Sequence, residues 1–258
     1  IYYLRVDYIN GVALSVFMLI VLPDTLKINL ELPISVNAYR VILVLLIIFH
    51  RNKSEIYNTI STLPFYRVII LTIISCFIST LLSVDVKTSF NKLLGFTLSI
   101  YIFYFILVRS IESENDIKII IRYMVAGIII VACIGFLENY LNFSIIKYVD
   151  QNYYEWILTT IRGRVTSTYP HPILFGAGLA MGVPIMLYMT HFSRENIVLH
   201  RYHSATFLLF VVIYFTLSRG AWLSVGICFM LSITLMPMQI KKSVFIYIIL
   251  TTVVLLLN

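Results

Sequence analysis

The sequence predicts an all-α integral membrane protein, a polytopic helix bundle of about eight full spans followed by a truncated ninth. Three observations carry this expectation. Hydrophobic residues make up 60% of the 258-residue chain and charged residues only 12%, giving a mean hydropathy of +0.94, far from the balance of a water-soluble domain. The apolar residues fall into successive runs, bounded by polar or charged clusters, that approach the roughly 20 residues a helix needs to cross a bilayer. Those runs also lack the alternation of a barrel strand, and a lipid-facing segment must satisfy its own backbone hydrogen bonds, which leaves helices.

In chain order, the apolar windows are 8–23, 36–50, 67–84, 93–108, 123–141, 172–190, 204–218 and 221–238, and a ninth run opens near Ser243 and ends in "TTVVLLLN". That run is too short to span alone and the chain begins at Ile1, so the sequence reads as a piece of a longer protein. The first window lacks a basic leader and a small-residue cleavage site, so no cleavable signal peptide is expected. Between the fourth and fifth windows, "RSIESENDIKIIIR" is a balanced, solvated charge run in which Ser110 and Ser113 offer caps for the next helix. Glu138, near the end of the fifth window, either lines a polar cavity or lies at the interface. In the sixth, Gly176, Gly178 and Gly182 with Ala177 and Ala180 form a small-residue face suited to close helix packing, and Pro184 is expected to bend the helix. Cys76, Cys133 and Cys228 lie inside apolar runs, which suits packing thiols and suggests neither a disulfide framework nor a metal cluster.

Lys and Arg set the expected orientation. With the N-terminus cytoplasmic, eleven of the nineteen fall inside, from Arg5 through Arg51, Lys53, Arg67 and Arg109 to Lys241 and Lys242. The same excess accounts for the net charge of +7 without nucleic acid as a partner. His50, His191, His200 and His203 then lie on the cytoplasmic side and receive no catalytic role. Two features share the outer face: the connection 142–171, and the Ser218-Arg219-Gly220 break between two spans. The connection is long enough to invite a function. Ile145, Ile146, Val149, Tyr153, Trp156, Ile157 and Ile161 line one side of its first part at helical spacing, as a helix in the membrane interface or one capping the bundle would require.

Arginine is the natural group for gripping phosphate oxygens, because its planar fork stays charged and donates in pairs. Arg162 and Arg164 flank Gly163 just before the sixth window, and Pro170 and Pro172 restrict the chain around His171. Arg219 is the sharper signal. An arginine beside a membrane core costs several kcal/mol unless it meets water, a partner or a ligand, so it either snorkels to headgroups or serves a site.

Two segments carry a family resemblance. "FTLSRGAWLSVGI" resembles the Ser-Arg-Gly signature of the O-antigen ligase and O-antigen polymerase family, and "RGRVTSTYPHPILFGAGLAMGVPIML" is similar to the segment upstream of it. Arg219 matches the signature arginine, Arg164 the upstream arginine, Thr168 and Tyr169 a Thr-Phe pair, and Pro172 a proline. Ser167 stands where the family has glycine and Ile173 where it has asparagine. The resemblance implies a membrane glycosyltransferase that moves a glycan from an undecaprenyl-diphosphate carrier to a lipid or glycan acceptor at the outer face of a bacterial plasma membrane. It also implies no metal or other cofactor. Arg219 would then act catalytically on the leaving diphosphate and Arg164 would be a second clamp. From their place on the same face, Arg162 and His171 are candidates to contact substrate, and His171 serves equally well as part of a structural turn set by Pro170 and Pro172. The family's base is a histidine in a large outer loop downstream of the signature. Two other readings remain at this stage, a flippase for lipid-linked sugars and a non-catalytic membrane subunit.

Overall fold

A computed structural model of the chain describes residues 8–22, 27–28, 36–50, 64–141, 143–161, 164–192 and 196–235, together with residues 245 and 249. Apart from one two-residue ladder, the described elements are helices. The chain forms two compact units, Ile1–Leu22 with Leu26–Tyr123, and Pro23–Thr25 with Met124–Asn258.

The first unit contains α1 (Tyr8–Val21), the antiparallel pair β1 (Lys27–Ile28) and β2 (Val36–Asn37), α2 (Ala38–His50) and α3 (Tyr66–Leu81). A longer helical stretch follows, made of α4 (Val86–Phe96), a π-helical turn over Thr97–Ile102 and α5 (Phe103–Ser110). Val12, Leu46 and Ile106 form its buried centre, with Tyr8, Ile42, Ile102 and Phe103 packed around them. The observed stretch starts earlier than the apolar window at 93, because Asp85 caps it. The Asp85 carboxylate accepts from the Thr88 hydroxyl at 2.5 Å and the Thr88 amide at 3.0 Å. Those two bonds, the hydroxyl's foremost, also hold the Asp85 carboxyl below the usual carboxylate range.

Helix α6 (Glu114–Leu141) likewise begins nine residues before its apolar window. The Ser113 hydroxyl accepts from the Asp116 amide at 3.3 Å, and Asp116 accepts in return from the Ser113 amide at 2.8 Å. This reciprocal cap draws the charged run into the helix. Ser110, the other expected cap, instead donates to the Ile106 carbonyl at 2.6 Å.

In the second unit, the remainder of α6 is followed by α7 (Ile145–Val149), α8 (Gln151–Ile161), α9 (Pro172–Phe192), α10 (Asn196–Phe215) and α11 (Arg219–Leu235). Helix α9 packs on α10 and α11. It runs unbroken through Pro184. Its glycines are contact points, as the small-residue face predicts. A Cβ on Gly182 would come within 2.9 Å of Ile128 on α6 and 3.2 Å of Leu209 on α10, while one on Gly178 would meet the Tyr169 hydroxyl at 3.1 Å. On α6, a Cβ at Gly135 would press on the Phe175 ring at 2.8 Å. Phe175, Leu179, Met186, Leu187, Leu209 and Ile213 are fully or almost fully buried between these helices. The described part of the connection 142–171 holds two helices, where one continuous helix suits the apolar spacing, because Asp150 takes an extended conformation between them. Ile146 is buried, whereas Trp156 and Tyr148 are exposed.

Three helical stretches among the described residues are long and apolar enough to cross a membrane: Val86–Ser110 with 25 residues, Glu114–Leu141 with 28 and Pro172–Thr190 with 19. Shorter apolar helices cover Tyr8–Val21, Tyr66–Leu81, Tyr202–Phe215 and Arg219–Leu231. This architecture is compatible with a membrane protein.

Candidate functional site

At one end of the second unit α6 finishes, α9 begins, and α10 turns into α11. Helix α10 stops because Leu217 enters the left-handed region at φ 49°, a conformation that more often falls to glycine after a helix. The Thr216 amide still reaches the Val212 carbonyl at 3.2 Å, and the Leu217 amide reaches the Tyr214 carbonyl at 3.0 Å. Ser218, buried in the turn, then opens α11 by accepting the Ala221 amide on its hydroxyl at 3.3 Å. Ser218→Ala removes this N-cap and is expected to lower stability by about 1 kcal/mol. Thermal unfolding of the detergent-solubilised protein measures the shift, and an unchanged midpoint would discount the cap.

Arg219 is the first residue of α11 and is exposed. A cation at a helix N-terminus opposes the helix dipole, so local helix stability does not explain an arginine there.

The loop entering α9 closes onto this corner. Arg164 donates from Nε to the Thr216 carbonyl at 2.7 Å and from Nη2 to the Leu217 carbonyl at 3.0 Å. The Val165 amide adds a long bond to the Phe215 carbonyl at 3.5 Å. One guanidinium thereby takes up two carbonyls that the end of α10 leaves without helical partners, as cations near a helix C-terminus do. Two of its five N–H donors serve in these bonds.

Two residues further on, the loop is tied to α6. Glu138 accepts from the Thr166 amide at 3.2 Å and the Ser167 amide at 2.5 Å on Oε2, and from the Thr166 hydroxyl at 3.3 Å on Oε1. Ser167 is left-handed, with φ 55°, and its hydroxyl donates to the Val131 carbonyl at 2.8 Å. This backbone suits glycine better than serine, and the Val131 bond gives serine a compensating contact. Ser167 and Leu217 are two of the three non-glycine residues with positive φ among the described residues, the third being Phe65 in the first unit. Backbone strain of this kind persists where the surroundings hold it, often at functional sites.

His171 caps α9. Its Nδ1 accepts the Ile173 amide at 3.2 Å and its carbonyl accepts the Phe175 amide at 3.0 Å, with Pro172 in the first helical position. With Nδ1 accepting, a neutral ring carries its proton on Nε2, the nitrogen left to donate.

The structure therefore brings Arg164 and the Ser218-Arg219 turn together and puts His171 on the same loop as Arg164. Arg162 lies outside the described residues. Sequence reasoning missed that Arg164 meets backbone carbonyls and that Glu138 grips the loop. A carboxylate within an apolar run was the available signal for the second. Among the described residues no three His, Cys, Asp or Glu side chains converge as a metal site would require. Comparison with protein-family models, curated proteins and solved structures finds no match to this chain.

Proposed function

We propose that this chain belongs to a bacterial membrane transferase of the O-antigen ligase or polymerase type, moving a glycan from an undecaprenyl-diphosphate carrier to a lipid or glycan acceptor in surface polysaccharide synthesis. The observation that carries the reading is the Arg164 fork. It joins two segments 52 and 53 residues apart, the two in which the family resemblance lies, and leaves Arg219 exposed at their junction. The N-termini of α9 and α11 add oriented amide dipoles at the same corner, a further source of attraction for a diphosphate.

In this reading the chain crosses the plasma membrane about eight times with a further partial span. Its N-terminus is cytoplasmic and the corner faces outward. The acceptor hydroxyl oxygen bonds to the anomeric carbon while the bond from that carbon to the diphosphate oxygen breaks. The electron pair leaves with the undecaprenyl diphosphate, and the hydroxyl proton passes to a base elsewhere in the protein. Arg219 meets the charge growing on the leaving diphosphate. Arg164 secures the corner and offers its remaining donors as a second clamp, Arg162 contributes to binding, and His171 donates from Nε2. No metal or other cofactor enters this scheme.

Deleting the protein tests the reading. Transferred glycan is expected to disappear while the undecaprenyl-linked precursor accumulates on the outer face of the membrane, read by extraction and surface labelling. Precursor held on the inner face would make the protein a flippase. Unaltered glycan would remove it from this chemistry.

A further inference from the structure

We infer that Glu138 is a positioning residue, acting through the loop 164–168 to hold Arg164 on the α10–α11 corner and so to set the place from which Arg219 projects. The inference rests on the transferase reading for its catalytic consequence but not for its geometry. A carboxylate in an apolar helix costs several kcal/mol unless it is engaged, and leucine would pack there without that cost. Glu138 is engaged by three neutral donors from two successive residues of one turn. Those donors have no helix or strand to bond to, since the turn lies between Arg164 and the start of α9 with Ser167 at φ 55°.

The tether is doubled. Ser167 bonds the Val131 carbonyl, seven residues before Glu138 and therefore on the same face of α6 two turns away. Arg164 is only two residues from Thr166, so a turn free to rotate would carry its guanidinium away from the Thr216 and Leu217 carbonyls. Arg219 follows Leu217 by two residues. The resulting order of dependence runs from α6 through Glu138, the Thr166–Ser167 turn and Arg164 to the corner and Arg219.

This order predicts a one-way pattern that ordinary packing would not give. Amide hydrogen exchange in lipid nanodiscs is the first readout. Glu138→Ala is expected to speed exchange about tenfold both at Thr166 and Ser167 and at the corner amides of residues 216–221. Arg164→Ala is expected to speed it at the corner alone. Glu138→Gln, which keeps the side-chain shape and one acceptor oxygen, covers the case in which the alanine variant fails to fold, and should give the same pattern at smaller amplitude. The second readout is glycan transfer at matched membrane abundance. Glu138→Gln should lower it about tenfold, and the combination with Arg164→Ala should be no worse than Arg164→Ala alone, because both act on one element.

Exchange that rises at the turn but not at the corner would overturn the inference, as would losses of transfer that multiply. If the exchange pattern appears while transfer stays normal in every variant, the positioning chain stands and the assignment of the transferase site to this corner falls.

Discussion

On the proposed transferase function, Arg219→Ala is expected to cut glycan transfer by about 10²–10³-fold, the usual consequence of removing one group that stabilises developing charge. Membrane abundance should hold, because Arg219 is exposed, occupies the least favourable end of α11 for a cation, and leaves the cap to Ser218. Arg219→Lys should recover little, since an ammonium keeps the charge but cannot present two parallel donors to a diphosphate. The measurement is transferred glycan in a cell whose own copy is replaced by each variant, with membrane protein quantified alongside. Near-normal transfer in the lysine variant would reduce Arg219 to a point charge. Near-normal transfer in the alanine variant would make it a headgroup anchor.

The second large effect is expected from Gly176→Ala. A Cβ there would stand 2.8 Å from the Ala221 Cβ, 2.9 Å from the Thr216 Oγ1 and 3.3 Å from the Ser218 Cβ. None of these can swing away, because Thr216, Ser218 and Ala221 are buried and their atoms lie close to the backbone of the corner. Helix α9 and the corner must separate, at a cost of about 1–3 kcal/mol for overpacking. Because the same separation moves Ser218 and Arg219, transfer should fall more than abundance does. Gly226→Ala is the matched control: it lies in α11 with nothing within 4 Å of its added Cβ. There alanine should leave stability unchanged or raise it, since glycine within a helix costs about 0.8–1.0 kcal/mol relative to alanine. Thermal unfolding of both variants, compared with transfer, checks the pair. Equal behaviour would show that α9 does not bear on the corner.

Helix boundaries illustrate what local pattern could and could not reach. The windows at 93 and 123 both opened too late, because Lys87, Lys92, Glu114, Asp116, Lys118 and Arg122 depress hydropathy while remaining helical. Asp85 and Ser113 set the true starts by capping, a signal in residue type rather than in hydrophobicity. The glycines of α9 were legible as packing residues, since small side chains at helical spacing announce close approach wherever the partner lies. Which partner each meets was not legible: Gly176 meets the corner, Gly178 meets Tyr169, and Gly182 meets α6 and α10.

By itself the sequence determined that the described elements are overwhelmingly helical and that Arg164, His171 and Arg219 fall beside connections between apolar helices, and it predicted eight apolar spans and a partial ninth where three described helices are long and apolar enough to cross a membrane. Each of these follows from composition and periodicity, which act over one or two helical turns. The tertiary structure decided that Arg164 caps the end of α10, that Glu138 holds the turn behind it, and that Ser167 and Leu217 take left-handed backbones. Those outcomes depend on donors and acceptors brought together from 28 to 53 residues apart, and on surroundings rigid enough to sustain conformations that serine and leucine rarely adopt alone.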